Sequence, residues 1–111
     1  MGKRPNRVIV NCAITGAVHL PSQTDYLPIT AKEIVEEAVR AANAGPRTVH
    51  LHGRDLETGK PNSDIGPFRE VCSEIRCRSH VFQCTTTRGP VGASPEERVR
   101  VVRELEPELE C

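Results

Sequence analysis

Apolar and polar positions change their period several times along the chain, and each change marks an element. Arg7-Val8-Ile9-Val10-Asn11-Cys12-Ala13-Ile14 is a short, β-branched apolar run closed by Thr15-Gly16, which predicts a strand covered on both faces. The polar stretch from Gly16 to Ile29, with Pro21 and Pro28, reads as a loop. Thr30 then precedes Glu33 at capping-box spacing, and Gly45-Pro46 supplies a stop. A helix is expected between them, with Ile34, Ala38, Ala41 and Ala42 on one face and Glu36 one turn ahead of Arg40.

Thr48-Val49-His50-Leu51-His52 predicts a second strand, followed by a turn-rich loop from Asp55 to Pro61. Phe68, Val71, Cys72 and Ile75 recur at helical spacing, giving a helix from about Ile65 to Arg76 whose start Gly66 and Pro67 place slightly later. His80 to Thr85 is the third expected strand. Ser94-Pro95-Glu96-Glu97 opens a third helix, with Val99, Val102 and Leu105 as its inner stripe. Pro107-Glu108-Leu109-Glu110-Cys111 falls where the alternation predicts a fourth strand. Three β-α units in series imply an α/β architecture with parallel strands.

The 111 residues make at most one domain, and with aromatics at 3% and no Trp its core must be built from Val, Ile, Leu and Ala. Lys+Arg 15 balance Asp+Glu 15 without a basic run, so there is no electrostatic footprint for nucleic acid or an anionic membrane surface. No apolar stretch reaches bilayer-spanning length, and no secretory signal stands at Met1 to Arg7. The five cysteines, Cys12, Cys72, Cys77, Cys84 and Cys111, are odd in number and lack a C-x-x-C pair. They read as reduced thiols acting as small buried hydrophobes, in keeping with a cytoplasmic protein.

Candidate chemistry concentrates at strand ends. In His50-Leu51-His52 the alternation of a strand puts both imidazoles on one side, roughly 6.6 Å apart along the backbone. Two ring nitrogens so placed can reach one metal ion at about 2.0–2.1 Å, and the same spacing also suits two histidines packed in a strand. Arg54 is a candidate anchor for a substrate carboxylate and Asp55 for orienting a metal-bound imidazole, with a loop ion pair as the plainer alternative. Gln83-Cys84-Thr85-Thr86-Thr87-Arg88-Gly89 offers hydroxyls and backbone N–H groups suited to a carboxylate or phosphate.

Several of these motifs occur together, in order, in one family. Cys12-Ala13-Ile14-Thr15-Gly16, Tyr26-Leu27-Pro28-Ile29-Thr30, Ala44-Gly45, Val49-His50-Leu51-His52-Gly53-Arg54-Asp55, Thr58-Gly59-Lys60-Pro61 and Glu96-Glu97-Arg98 resemble the β-keto acid cleavage enzymes, founded on the 3-keto-5-aminohexanoate cleavage enzyme of lysine fermentation. The resemblance runs from about Val8 to Leu109. It implies a zinc-dependent (β/α)8 barrel acyltransferase that converts a β-keto acid and acetyl-CoA to acetoacetate and a new acyl-CoA, generally as a homo-oligomer. It further implies that His50 and His52 are two of the zinc ligands and that the Thr85/Thr86 region holds the substrate carboxylate. Val18 stands where some members carry an acidic residue, and Thr86-Thr87-Arg88-Gly89 replaces the usual Thr-Gly-Gly turn.

A closed barrel needs eight strands, and the family places its carboxylate zinc ligand on a later one. Residues 1–111 are therefore expected to be the amino-terminal fragment of a single barrel domain: its first three β-α units and the start of a fourth strand, inactive alone. An open sheet of this kind is expected to expose an apolar face and unpaired edges. The alternative is a non-catalytic metal-binding or assembly module, or an inactive remnant of the enzyme.

Overall fold

Each helix that carries a capping signal begins at it. The Thr30 hydroxyl accepts from the Glu33 amide at 3.2 Å, and the Glu33 carboxylate accepts from the Thr30 and Ile29 amides at 2.9 and 3.0 Å, opening helix α1 (Ala31–Asn43). These backbone N–H groups and the Thr30 hydroxyl hold the Glu33 carboxyl below its usual pKa range. Ser94 and Glu97 repeat the box at helix α3 (Pro95–Glu104), with Pro95 at its first position. Helix α2 (Ile65–Arg78) starts at Ile65 rather than after the Gly66-Pro67 pair, because a proline in the first turn gives up an N–H that has no helical partner there. The computed structural model describes residues 6–62, 64–81, 83–85 (backbone alone) and 92–105.

The chain is mixed α/β. A three-stranded sheet has the order β1 (Asn11–Ala13), β2 (Thr48–His50), β5 (Gln83–Thr85), with every pair parallel. Register sets Ala13, His50 and Thr85 in one row and Cys12, Val49 and Cys84 in the next. A second sheet pairs β3 (Gly53–Arg54) with β4 (Pro61–Asn62) in antiparallel fashion, so the stretch expected as a loop is closed into a small hairpin.

Val49 and Leu51 turn toward the helices and join Ile34, Val35 and Ala38 of α1, Phe68, Val71, Cys72 and Ile75 of α2, and Val101 and Leu105 of α3 in one core. Alternate positions fall on the opposite face of the sheet. There the register pairs Asn11 with Thr48 and Ala13 with His50, so the described side chains of that face on β1 and β2 are mostly polar rather than apolar as expected.

Four further expectations are corrected. The first strand is Asn11–Ala13, not Arg7–Ile14: Val8 and Ile9 are 86% and 89% exposed, because β-branched propensity makes a strand only where a neighbour pairs with it. The inner side of α3 is Val101 and Leu105, whereas Val99 and Val102 are exposed. The helix carries two apolar stripes at helical spacing, and docking against α2, where the Arg69 guanidinium donates to the Glu104 carbonyl at 2.7 Å, goes with the second. On α1, Arg40 pairs with Glu37 instead of Glu36, which lies 3.9 Å from Lys32. Of the thiols, Cys72 is buried and Cys12 half-buried, but Cys77 is exposed, and none of these three is in a disulfide; the Cys84 side chain and Cys111 lie outside the described residues. The expected fourth strand at residues 107–111 lies outside the described residues, and no described helix is long and apolar enough to cross a membrane.

Candidate active site

The end of strand β2 and the extended residues after it bring two imidazoles to one point. With Val49 and Leu51 committed to the core, His50 and His52 both project to the other side, and their Nε2 atoms stand 3.1 Å apart. The rings meet edge to face, with centroids 4.9 Å apart and planes at 72°. His52 is 5% exposed and His50 half-buried. Burial lowers the pKa of His50, while His52 is pushed down to about 4 by burial first and then by the neighbouring His50 and Arg54 charges. The pair is thus held in the neutral form, in which an Nε2 can present a lone pair.

The spacing of the two ring nitrogens matches that of two ligands on one metal ion. Two nitrogens bound to one tetrahedral zinc at about 2.0–2.1 Å lie roughly 3.3 Å from each other, close to the observed contact. Among the described residues no group of three His, Cys, Asp or Glu side chains forms around the pair. Both His19 and His80 are exposed.

The backbone under His52 is held by a residue that sequence reasoning passed over. β1 ends at Ala13, and Ile14 still donates to the His50 carbonyl at 3.0 Å. The chain then turns through Gly16, at φ +64°, so the next rung is made by a side chain: the buried Thr15 hydroxyl accepts from the His52 amide at 2.8 Å and donates to the His52 carbonyl at 3.1 Å. A hydroxyl directly before a strand-ending glycine was the available signal.

Arg54 has an occupation other than the one expected of it. Only 6% exposed, its guanidinium donates to the carbonyls of Thr15 at 2.6 Å, Gly16 at 2.7 Å, Gly59 at 2.9 Å and His19. All four terminal N–H groups are thereby spent on the loop after β1 and on the hairpin, and Nε is buried without a partner among the described residues. Asp55 likewise does not reach an imidazole: its carboxylate accepts from the Thr58 amide, the Thr58 hydroxyl and the Glu57 amide, which fold the turn and hold its pKa low. The backbone of Thr85 is level with His50 by register, while Thr86 lies outside the described residues. The 75% exposed Val18 stands in the loop that Arg54 holds.

Beside His52 a cavity of about 600 Å³ opens between the start of α1, the hairpin and the start of α2, walled by Ile29, Ile34, Leu51, Phe68 and Val71. That is the size of a small-molecule site.

Known proteins are similar to this chain in sequence over 62–93% of its length. A protein of Paraburkholderia graminis named 3,5-dioxohexanoate:acetyl-CoA acetone transferase is 36% identical over 103 residues, covering 93% of this chain and 33% of its own length. The 3-keto-5-aminohexanoate cleavage enzyme of Fusobacterium nucleatum is 35% identical over 105 residues, 93% of this chain and 38% of its own. A 3-dehydrocarnitine:acetyl-CoA trimethylamine transferase of Rhizobium meliloti is 45% identical over 69 residues, 62% of this chain and 23% of its own. The chain thus spans between about a quarter and two fifths of the length of these relatives. The family model for beta-keto acid cleavage enzymes matches residues 7–111, and the chain belongs to that family.

Proposed function

We propose that residues 1–111 form the first three β-α units of a (β/α)8 barrel, and that His50 and His52 supply two ligands of a zinc centre in a β-keto acid:acetyl-CoA acyltransferase. The apposition of the two Nε2 atoms at 3.1 Å carries this reading. The parallel order β1-β2-β5 with helices between successive strands supports the barrel part of it. His50 and His52 would hold the zinc, which when bound would supply Lewis acidity toward the keto group of a β-keto acid.

The chain's own residues have separate tasks. Burial keeps His50 and His52 neutral and hence able to ligate. The Thr85/Thr86 region, in which Thr85 is the register partner of His50, would take the substrate carboxylate through hydroxyl and backbone N–H groups. Arg54, with its terminal N–H groups committed, contributes to substrate binding by shaping the rim rather than by direct contact. The two small-molecule partners are a β-keto acid and acetyl-CoA, in a cytoplasmic homo-oligomer, with turnover requiring the later strands where the family carries its carboxylate ligand.

Zinc content after dialysis tests the assignment. The chain is expected to retain zinc, and His50→Ala and His52→Ala each to lose it, since one imidazole is a poor site. Equal zinc stoichiometry in a folded His52→Ala protein would refute the ligand assignment. Acetoacetate formation from acetyl-CoA and a β-keto acid by residues 1–111 alone would refute the need for later strands.

A further inference from the structure

The geometry points to Thr15 as a positioning residue for the histidine pair: its hydroxyl, bonded to both the amide and the carbonyl of His52, sets the orientation in which the His52 ring meets that of His50. The inference rests on the metal-site reading above only for its consequence in metal affinity; the orienting role stands on the hydrogen bonds themselves.

Parallel pairing between β1 and β2 ends with the rung at His50, where Ala13 is the partner and Ile14 donates to the His50 carbonyl. Two residues later the His52 backbone is buried and lies beyond the paired strand. A buried N–H and C=O left unpaired would each carry a desolvation cost, so the segment would shift to find partners. One hydroxyl prevents this by acting as acceptor and donor at once, which no apolar side chain of the same size can do. The hydroxyl is itself anchored, because the Thr15 carbonyl receives the Arg54 guanidinium at 2.6 Å. His52 therefore takes its backbone position from β1's turn, whereas His50 takes its own from the strand ladder. The 3.1 Å contact exists only where these two constraints agree.

The test compares Thr15→Val, which keeps the shape and deletes the hydroxyl, with Thr15→Ser, which keeps the hydroxyl. In the metal-free chain, an NOE between the ring Hε1 protons of His50 and His52 is expected in the wild type and in Thr15→Ser, and is expected to vanish in folded Thr15→Val. Zinc affinity by chelator competition is expected to fall about 10–100-fold in Thr15→Val and to stay within about threefold in Thr15→Ser. A folded Thr15→Val protein that keeps the NOE overturns the proposal. Should Thr15→Val fail to fold, Thr15→Ser decides: a folded protein without the NOE assigns the work to the methyl group and overturns it, and retention upholds the hydroxyl. If the wild type binds no zinc, the ligand assignment fails, while the NOE still decides the role of Thr15.

Discussion

Arg54→Met replaces a buried guanidinium by an apolar chain of similar length, and its effect separates two roles for this residue. Of the four carbonyls that Arg54 bonds, those of Thr15 and Gly59 are buried and those of Gly16 and His19 are partly open to water. Charge-assisted hydrogen bonds contribute about 1.5–3 kcal/mol each, so the two buried ones together represent about 3–6 kcal/mol. Water can replace the other two at little cost. Burial also lowers the Arg54 pKa, a sign that desolving the charge opposes these gains and that Met relieves part of the loss. The net expectation is a destabilisation of about 2–4 kcal/mol, read by urea unfolding followed by circular dichroism, or a fall in Tm of roughly 8–16 °C. Arg54→Lys should recover less than half, because one ammonium cannot span four carbonyls. If Arg54 served chiefly as a substrate carboxylate anchor, Arg54→Met would leave the unfolding midpoint within about 1 kcal/mol of wild type, and that result would refute the clamp reasoning.

Two further outcomes are expected. The folded-state pKa of His52 lies near 4 against 6.5 for the free side chain, so the unfolded chain binds the extra proton between those values; the contribution of His52 is complete above pH 6.5 and is lost as pH falls toward 4, up to about 3 kcal/mol. Comparing the metal-free protein with His52→Gln across that window isolates it, and parallel curves would refute it. Gly59, at φ +67° and with the Pro21 ring where a Cβ would lie, should not accept alanine: Gly59→Ala is expected to cost at least about 1–2 kcal/mol in thermal unfolding, and an unchanged Tm would show that the loop gives way freely.

What could be read directly from the chain was whatever short-range chemistry settles. Thr30 with Glu33 and Ser94 with Glu97 cap helices through bonds that close within four residues, and Gly45-Pro46 stops α1 by backbone conformation alone. That His50 and His52 share one side was equally legible, because alternate residues of an extended chain point the same way wherever that chain lies. Tertiary structure decided the rest. Val8 to Val10 have the composition of a strand, yet pairing with β2 begins only at Asn11. Either stripe of α3 could have faced inward until α2 supplied a surface for Val101 and Leu105.

The supports of the site belong to the second class for a common reason. Thr15 bonds a residue 37 positions away, and Arg54 reaches back 39, so neither contact has a periodicity or a local motif to announce it. Composition and spacing determine which elements form and which side chains share a face, since those follow from backbone geometry over a few residues. Which polar group a buried Arg or Thr will satisfy depends on what the folded chain brings alongside it, and hydrogen bonding of buried groups is demanded only once burial has happened.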